Sequence, residues 1–292
     1  MTRRGRGAKT RRTLTAYTLV APALLTATVF LLVPMALSAY WSLTDYNGIT
    51  PPTWVGLHNY VSLFHDPRFL RSLTNTVTFV LLGMTIGPAL GLCAALLLNE
   101  HVRGRAFYRT AIFLPVTTSL VVVSVVWKML LNDQGIVNAI LSFFGIQGHA
   151  WLADPSTALF AVIMVSVWQG LGFEAVVFLA ALQSIPHSLY DAARVDGAGG
   201  WRRFVHVTLP GLRPTMLFVF VIGIIGSFQV FDQVFVMTQG GPVGSTDTIV
   251  YYLVDRFQAL ELGRASAVAY VLLLILATLS AIQFRLFEER PA

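Results

Sequence analysis

Six stretches of this chain are long and apolar enough to cross a lipid bilayer, and that restricts its fold more than any motif does. A helix rising 1.5 Å per residue needs about 20 apolar residues to cross a hydrocarbon core about 30 Å thick. Residues 14–43, 73–98, 107–131, 156–182, 216–237 and 265–287 meet that length. Lipid offers backbone amides no partner, so each run must satisfy its own and form a helix. None alternates with the two-residue period of a membrane barrel strand. The expected fold class is all-α integral membrane, with six transmembrane helices in a lipid bilayer. Only 12% of the 292 residues are charged, against about 25% in a soluble domain. A soluble enzyme and a disordered regulator are excluded on that ground. A disulfide-stapled secreted scaffold is excluded as well, because Cys93 is the single cysteine.

The formal net charge of +6 does not indicate a nucleic-acid partner, because the basic residues flank the apolar runs instead of lining one face. Their placement reports orientation. Fifteen Lys and Arg fall in the amino-terminal tail (Arg3 to Arg12), the second loop (Arg103, Arg105, Arg109), the fourth loop (Arg194, Arg202, Arg203, Arg213) and the carboxyl end. Only Arg68, Arg71, Lys128, Arg256 and Arg264 fall on the other side. Both termini are therefore expected in the cytoplasm. Arg11-Arg12 loosely resembles a twin-arginine signal, and Ala36-Leu37-Ser38 a cleavage site. The apolar run that follows is longer than the about 7–15 residues of a signal core, so an uncleaved first span is expected. The organisation is then a basic tail (1–13), a first span (14–43), an external loop (44–72), a five-helix core (73–287) and a short tail (288–292).

Gly83, Gly87 and Gly91 repeat every four residues on the second span, a face for close packing against another helix. Pro22, Pro34, Pro88 and Pro115 are expected to kink their helices. Chemistry of its own is absent from the chain. Its two lysines, Lys9 and Lys128, do not end a phosphate-binding loop, its six histidines have no metal-ligand spacing, and no nucleophile elbow occurs. Two carboxylates fall inside spans, Glu174 in the fourth and Asp232 near the outer end of the fifth. Two uses are open to each: a polar lining for a solute path, with Gln169, Ser227, Gln229 and Gln233, or a structural or interfacial role.

The fourth loop, 185–210, is too ordered for a plain connector. Ser188 is placed to cap a short helix ending near Arg194 or Val195, with Asp191 near its positive end and Gly197, Gly199 and Gly200 breaking it. Such a helix suits docking into another protein, or resting on anionic headgroups. Asp191-Ala192-Ala193, then Gly197, then Val207-Thr208-Leu209-Pro210 resembles the EAA loop of ABC-importer permeases, with Asp191 in place of Glu and Val207 in place of Ile. Val55-Gly56-Leu57-His58-Asn59-Tyr60, Trp168-Gln169-Gly170-Leu171-Gly172-Phe173 and Met237-Thr238-Gln239-Gly240-Gly241-Pro242 resemble further motifs of the carbohydrate-uptake group, which includes maltose, lactose and glycerol-3-phosphate systems.

The resemblance implies the type-1 importer fold and a heteromeric sugar importer. Such an importer has a second permease subunit, an ATPase pair holding ATP and Mg, and an external sugar-binding protein. It implies that Tyr190, Asp191, Ala192, Ala193, Asp196, Gly197, Leu209 and Pro210 couple to the ATPase. It also implies a substrate path at Gln169, Gly170, Phe173, Gly223, Gly226, Ser227 and Val230, to which the residues themselves add Glu174 and Asp232. A glycerol-3-phosphate importer is the first rival reading. An ion-driven carrier is the second, and would need inverted repeats and an intramembrane ion site.

Overall fold

The computed structural model describes residues 17–100 and 104–287. The arginine-rich tail, Arg103, the start of the first expected span and the last five residues lie outside them. About three quarters of the described residues are helical. The described residues divide into two compact units, one formed by 17–63 with 256–270, the other by 64–100, 104–255 and 271–287.

In the first unit, α1 (Tyr17–Ser42) is exposed along most of its length, as lipid-facing Leu, Val and Phe side chains require. Its register widens to a π segment over Thr28–Leu32, where the Val33 amide bonds the Thr28 carbonyl. The cause is Pro34, whose missing N–H leaves the carbonyl one turn earlier without a partner. Two short antiparallel strands follow, β1 (Thr44–Asp45) and β2 (Thr53–Trp54). The buried Asn59, on α2 (His58–Phe64), pins this hairpin by donating to the Ser42 and Thr44 carbonyls at 3.0 and 2.9 Å. Gly263 approaches the same Thr44 carbonyl so closely that a Cβ would collide with it.

The second unit is organised by α3 (Pro67–Asn99) and, further on, by α7 (Ala158–Ser184), which pack along much of their lengths. Asp66 caps α3 by accepting from the Arg68 amide at 2.8 Å, with Pro67 at its first position. Two apolar clusters hold the pair together. One gathers Phe79, Val162, Val165 and Val234; the other gathers Ala95, Phe178, Leu182 and Leu212. On both helices the clusters sit near opposite ends and leave the middle turns free.

Between those helices the chain departs from expectation. Residues 107–131 do not form one continuous helix. They form α4 (Arg105–Thr117) and α5 (Leu120–Leu130), bent by 101°. Pro115 lies in the last turn of α4, and the Thr118–Ser119 hinge is extended, so the kink expected at this proline is a full break. Pro88, by contrast, lies inside an uninterrupted α3. Five helices are long and apolar enough to cross a membrane among the described residues, with the bent pair as a sixth candidate. α6 (Ile136–Phe143) precedes α7 in the connection that follows α5. The loop helix α8 (His187–Val195) and α9 (Gly200–Arg203) lead through a π segment at Phe204–Thr208 into α10 (Leu209–Phe228). After α10 come α11 (Asp232–Met237), α12 (Ile249–Gln258) and α13 (Leu262–Phe287).

An ion-pair network that sequence reasoning missed closes one end of this unit. Arg68 donates to Asp247 at 2.7 Å and to Asp255 at 2.5 Å, and its guanidinium lies 5.4 Å from the centre of the Tyr252 ring. The Tyr252 hydroxyl donates to Asp66 at 2.7 Å. Asp247 is buried, so losing its cation is costly. Arg68→Met is expected to destabilise the protein by about 2 kcal/mol, less than for a fully buried pair because Arg68 is partly exposed. The check is a lowered Tm in detergent. Arg71→Met, which removes one exposed bond to the Val243 carbonyl, should leave Tm nearly unchanged.

Candidate functional site

A cavity of about 440 Å³ opens between the two apolar clusters of the second unit. α7 supplies one wall through Ile163, Ser166, Val167, Gly170 and Glu174, spaced as one helical stripe. Phe79, Gly83, Met84 and Gly87 of α3 supply the facing wall. The third wall is the end of α10 and the break beyond it. There the Gln229 amide bonds the Gly226 carbonyl at 3.1 Å, the helix stops, and α11 restarts at Asp232. A continuous helix would turn some of Gln229, Asp232 and Gln233 toward lipid. The break instead brings all three to the cavity. Thr248 donates to the Val230 carbonyl at the break at 3.2 Å, and the Lys128 ammonium donates to the Val236 carbonyl near the far end of α11 at 3.1 Å.

Of the expected path, Gln169, Gly170, Glu174, Gly223, Gly226, Ser227, Val230 and Asp232 all line this cavity. Phe173 does not line it and is 40% exposed. Asp232 is also not where an unbroken fifth span would put it, since it opens α11. The Glu174 carboxylate lies against Gly87 and Gly91, where a Cβ at Gly87 would come within 3.1 Å of one carboxylate oxygen and a Cβ at Gly91 within 2.6 Å of the Glu174 Cβ. The glycine stripe is therefore a packing face, as expected, and also the notch that holds this acid. One carboxylate oxygen, Oε2, is buried with no hydrogen-bond partner among the described residues.

The second candidate surface is the loop helix α8. Ser188 does not cap it. The helix begins two residues earlier than a Ser188 cap would set it, with Pro186 at the cap position, and Asp191 sits mid-helix, paired with Arg194 at 3.1 Å on an exposed face. A proline at that point already fixes the entry into the helix, so no hydroxyl cap is needed. The carboxyl end is as expected: Gly197 has φ of +72°, its amide bonds the Arg194 carbonyl at 3.0 Å, and the Ala198 amide bonds the Ala193 carbonyl at 2.9 Å, which is a Schellman stop. Leu189, Val195 and Trp201 are exposed, while Tyr190 turns inward and its hydroxyl lies 3.0 Å from that of the buried Thr208. Asp191, Ala192, Asp196 and Gly197 are exposed, Ala193 is half-buried, and Leu209-Pro210 opens α10.

Residues 87–290 match the family described as binding-protein-dependent transport system inner membrane component. The chain belongs to that family. It is 38% identical to the lactose transport system permease protein of Rhizobium radiobacter over 279 residues, covering 93% of each chain. It is 34% identical to the sn-glycerol-3-phosphate transport system permease protein of Pectobacterium atrosepticum, covering 94% of each. Among solved structures it is similar to a bacterial ABC transporter involved in the import of the acidic polysaccharide alginate, with a TM-score of 0.85, 26% identity, and coverage of 96% of this chain and 97% of the other. The same type of transporter has been solved with an alginate pentasaccharide-bound periplasmic protein (TM-score 0.83, 26% identity, 95% of each chain). This protein is thus an ABC importer permease of the inner membrane, a transport subunit and not an enzyme.

Two features of these candidate sites escaped sequence reasoning. One is the contribution of α3 to the cavity, through Phe79, Met84 and the glycine stripe. The stripe was visible, but nothing in it distinguishes a groove from a contact. The other is Thr208, present in the loop motif but without an assigned role until it is seen against Tyr190.

Proposed function

We propose that this subunit forms one half of the translocation pathway of an ATP-driven sugar importer, with the solute passing the cavity between α3, α7 and α10. The observation that carries the reading is the polar wall built there from Gln169, Glu174, Ser227, Gln229, Asp232 and Gln233. Amides, hydroxyls and carboxylates suit an uncharged polyhydroxyl ligand. Its relatives include a lactose permease, which supports the same class. The glycerol-3-phosphate relatives keep an organophosphate importer as the rival reading. An ion-driven carrier would leave the α8 loop without a purpose.

In this reading the bent pair is the third of six spans and both termini face the cytoplasm, with the boundaries given above for the tails, external loop and core. The partners are a second permease, an ATPase pair that binds ATP and Mg, and an external sugar-binding protein. α8 enters the ATPase, and Tyr190, Asp191, Ala192, Ala193, Asp196, Gly197, Leu209 and Pro210 carry the coupling. Movement is transmitted because Tyr190 ties α8 to Thr208, at the foot of α10, whose far end lines the cavity. Tyr190→Phe is expected to weaken that tie by about 1 kcal/mol, lowering uptake per ATP hydrolysed while the complex stays assembled.

The test is to tag the chain, extract it in mild detergent and identify what co-purifies. A second permease, an ATPase and a binding protein are expected, and ATP-dependent uptake of labelled lactose or a related neutral sugar after reconstitution. A homo-oligomer that transports with no ATPase present would overturn the proposal in favour of the carrier.

A further inference from the structure

Resting on the solute-path reading, we infer that this wall admits uncharged polyhydroxyl solutes and rejects anions, and that Glu174 sets the preference. The cavity presents two carboxyl groups, Glu174 and Asp232, and among the described residues no Lys, Arg or His lines it. Its remaining polar groups are neutral amides and hydroxyls. Glu174 is held in a notch made by Gly87 and Gly91, and its Oε2 is buried with no donor among the described residues. An ionised carboxylate only accepts hydrogen bonds. Because Oε2 is shut into the notch, a solute in the cavity meets Glu174 at Oε1, and a sugar hydroxyl can donate to it there. A phosphate or uronate oxygen is another acceptor and gives Oε1 nothing to accept. It also brings a further negative charge into a poorly screened site that already holds two carboxyl groups, where repulsion is far stronger than in water. This wall is therefore unsuited to the anionic solutes named for the glycerol-3-phosphate relative and the alginate importer.

The charge preference can be read without knowing the natural solute. In a Cys93→Ser background, a cysteine is placed at Ser227 on the cavity wall. The assembled complex, in proteoliposomes, is treated with a cationic or an anionic methanethiosulfonate reagent of similar size. Rates are divided by those of the same reagents with a free thiol. The corrected rate for the cation should exceed that for the anion by about tenfold, and Glu174→Gln should bring the ratio close to one. Co-purification of the ATPase reports that the Glu174→Gln complex has assembled. If it has not, a ratio of one or below with Glu174 in place overturns the inference by itself. A ratio that Glu174→Gln leaves unchanged removes Glu174 from the role. Failure of both reagents to react overturns the inference together with the solute path. A cation preference that depends on Glu174, in a complex that takes up no neutral sugar, supports the charge assignment and sinks only the sugar reading.

Discussion

A Gly197→Pro variant is expected to insert into the membrane, keep its cavity and transport nothing. Gly197 sits at φ of +72°, whereas proline is fixed near −65°. Proline also lacks the N–H that bonds the Arg194 carbonyl, and removing it undoes half of the Schellman stop that ends α8. The cost is about 3 kcal/mol or more, and it falls on a short exposed helix whose shape is its function, not on the helix packing of the membrane core. Leu189, Val195 and Trp201 would lose their fixed relative positions. Gly197→Ala separates conformation from contact, because no heavy atom lies within 4 Å of where its Cβ would sit. Its penalty is only the left-handed backbone, about 1–2 kcal/mol, so partial uptake is expected. The measurement is ATP-driven uptake in proteoliposomes alongside ATPase co-purification. Normal uptake by Gly197→Pro would sink the coupling assignment for residues 185–210.

What could be read from the residues depended on whether the signal was local. The apolar runs and the αL stop at Gly197 are local properties, and they correspond to long helices and to the end of α8. The break at Gln229–Phe231 was not legible, because Gly226, Ser227 and Gln229 also occur in continuous helices. The contact made at the break is tertiary, the Thr248 hydroxyl donating to the Val230 carbonyl. The 101° bend at Thr118–Ser119 was half legible. Pro115 announces trouble, yet Pro88 occupies a similar apolar context and α3 runs through it, so a proline alone does not separate a tolerated kink from a hinge. The Arg68, Asp247 and Asp255 network joins residues far apart in the chain, and Arg68 read alone was only an outward-facing charge.

The site follows the same rule. Gln169, Glu174 and Asp232 were legible as polar groups with no good place in lipid. Their convergence with α3 was not, since the partner surface is a stripe of glycines that carries no chemistry. Phe173 shares the face of α7 that carries Ser166 and Gln169, yet it is 40% exposed and does not line the cavity, so helical spacing alone does not decide which side chains reach it.

Two glycines of α7, two positions apart, should fail in opposite ways when enlarged. Gly170 lines the cavity, and a Cβ built there meets nothing within 4 Å. A Gly170→Phe ring has room to extend into the cavity without displacing a neighbour. It is expected to leave assembly and Tm close to normal while reducing uptake at least about tenfold, the effect of filling a solute path in a cavity close to sugar size. Gly172 packs against α4, where a Cβ would collide with the Ile112 backbone carbonyl and come within 2.9 Å of the Phe113 Cα. Backbone cannot step aside as a side chain can, so Gly172→Phe must separate α7 from α4, at a cost above the about 1–3 kcal/mol of ordinary overpacking. That variant should be recovered poorly from membranes, with ATPase association lost along with uptake. Size-exclusion profiles, Tm and uptake measured on both variants separate the two outcomes. If Gly170→Phe transports normally, the solute does not pass between α3, α7 and α10, and the cavity is a packing void. If Gly172→Phe assembles and transports, the close approach of α4 to α7 is not required, and the bend that positions α5 beside the cavity must be held by other contacts.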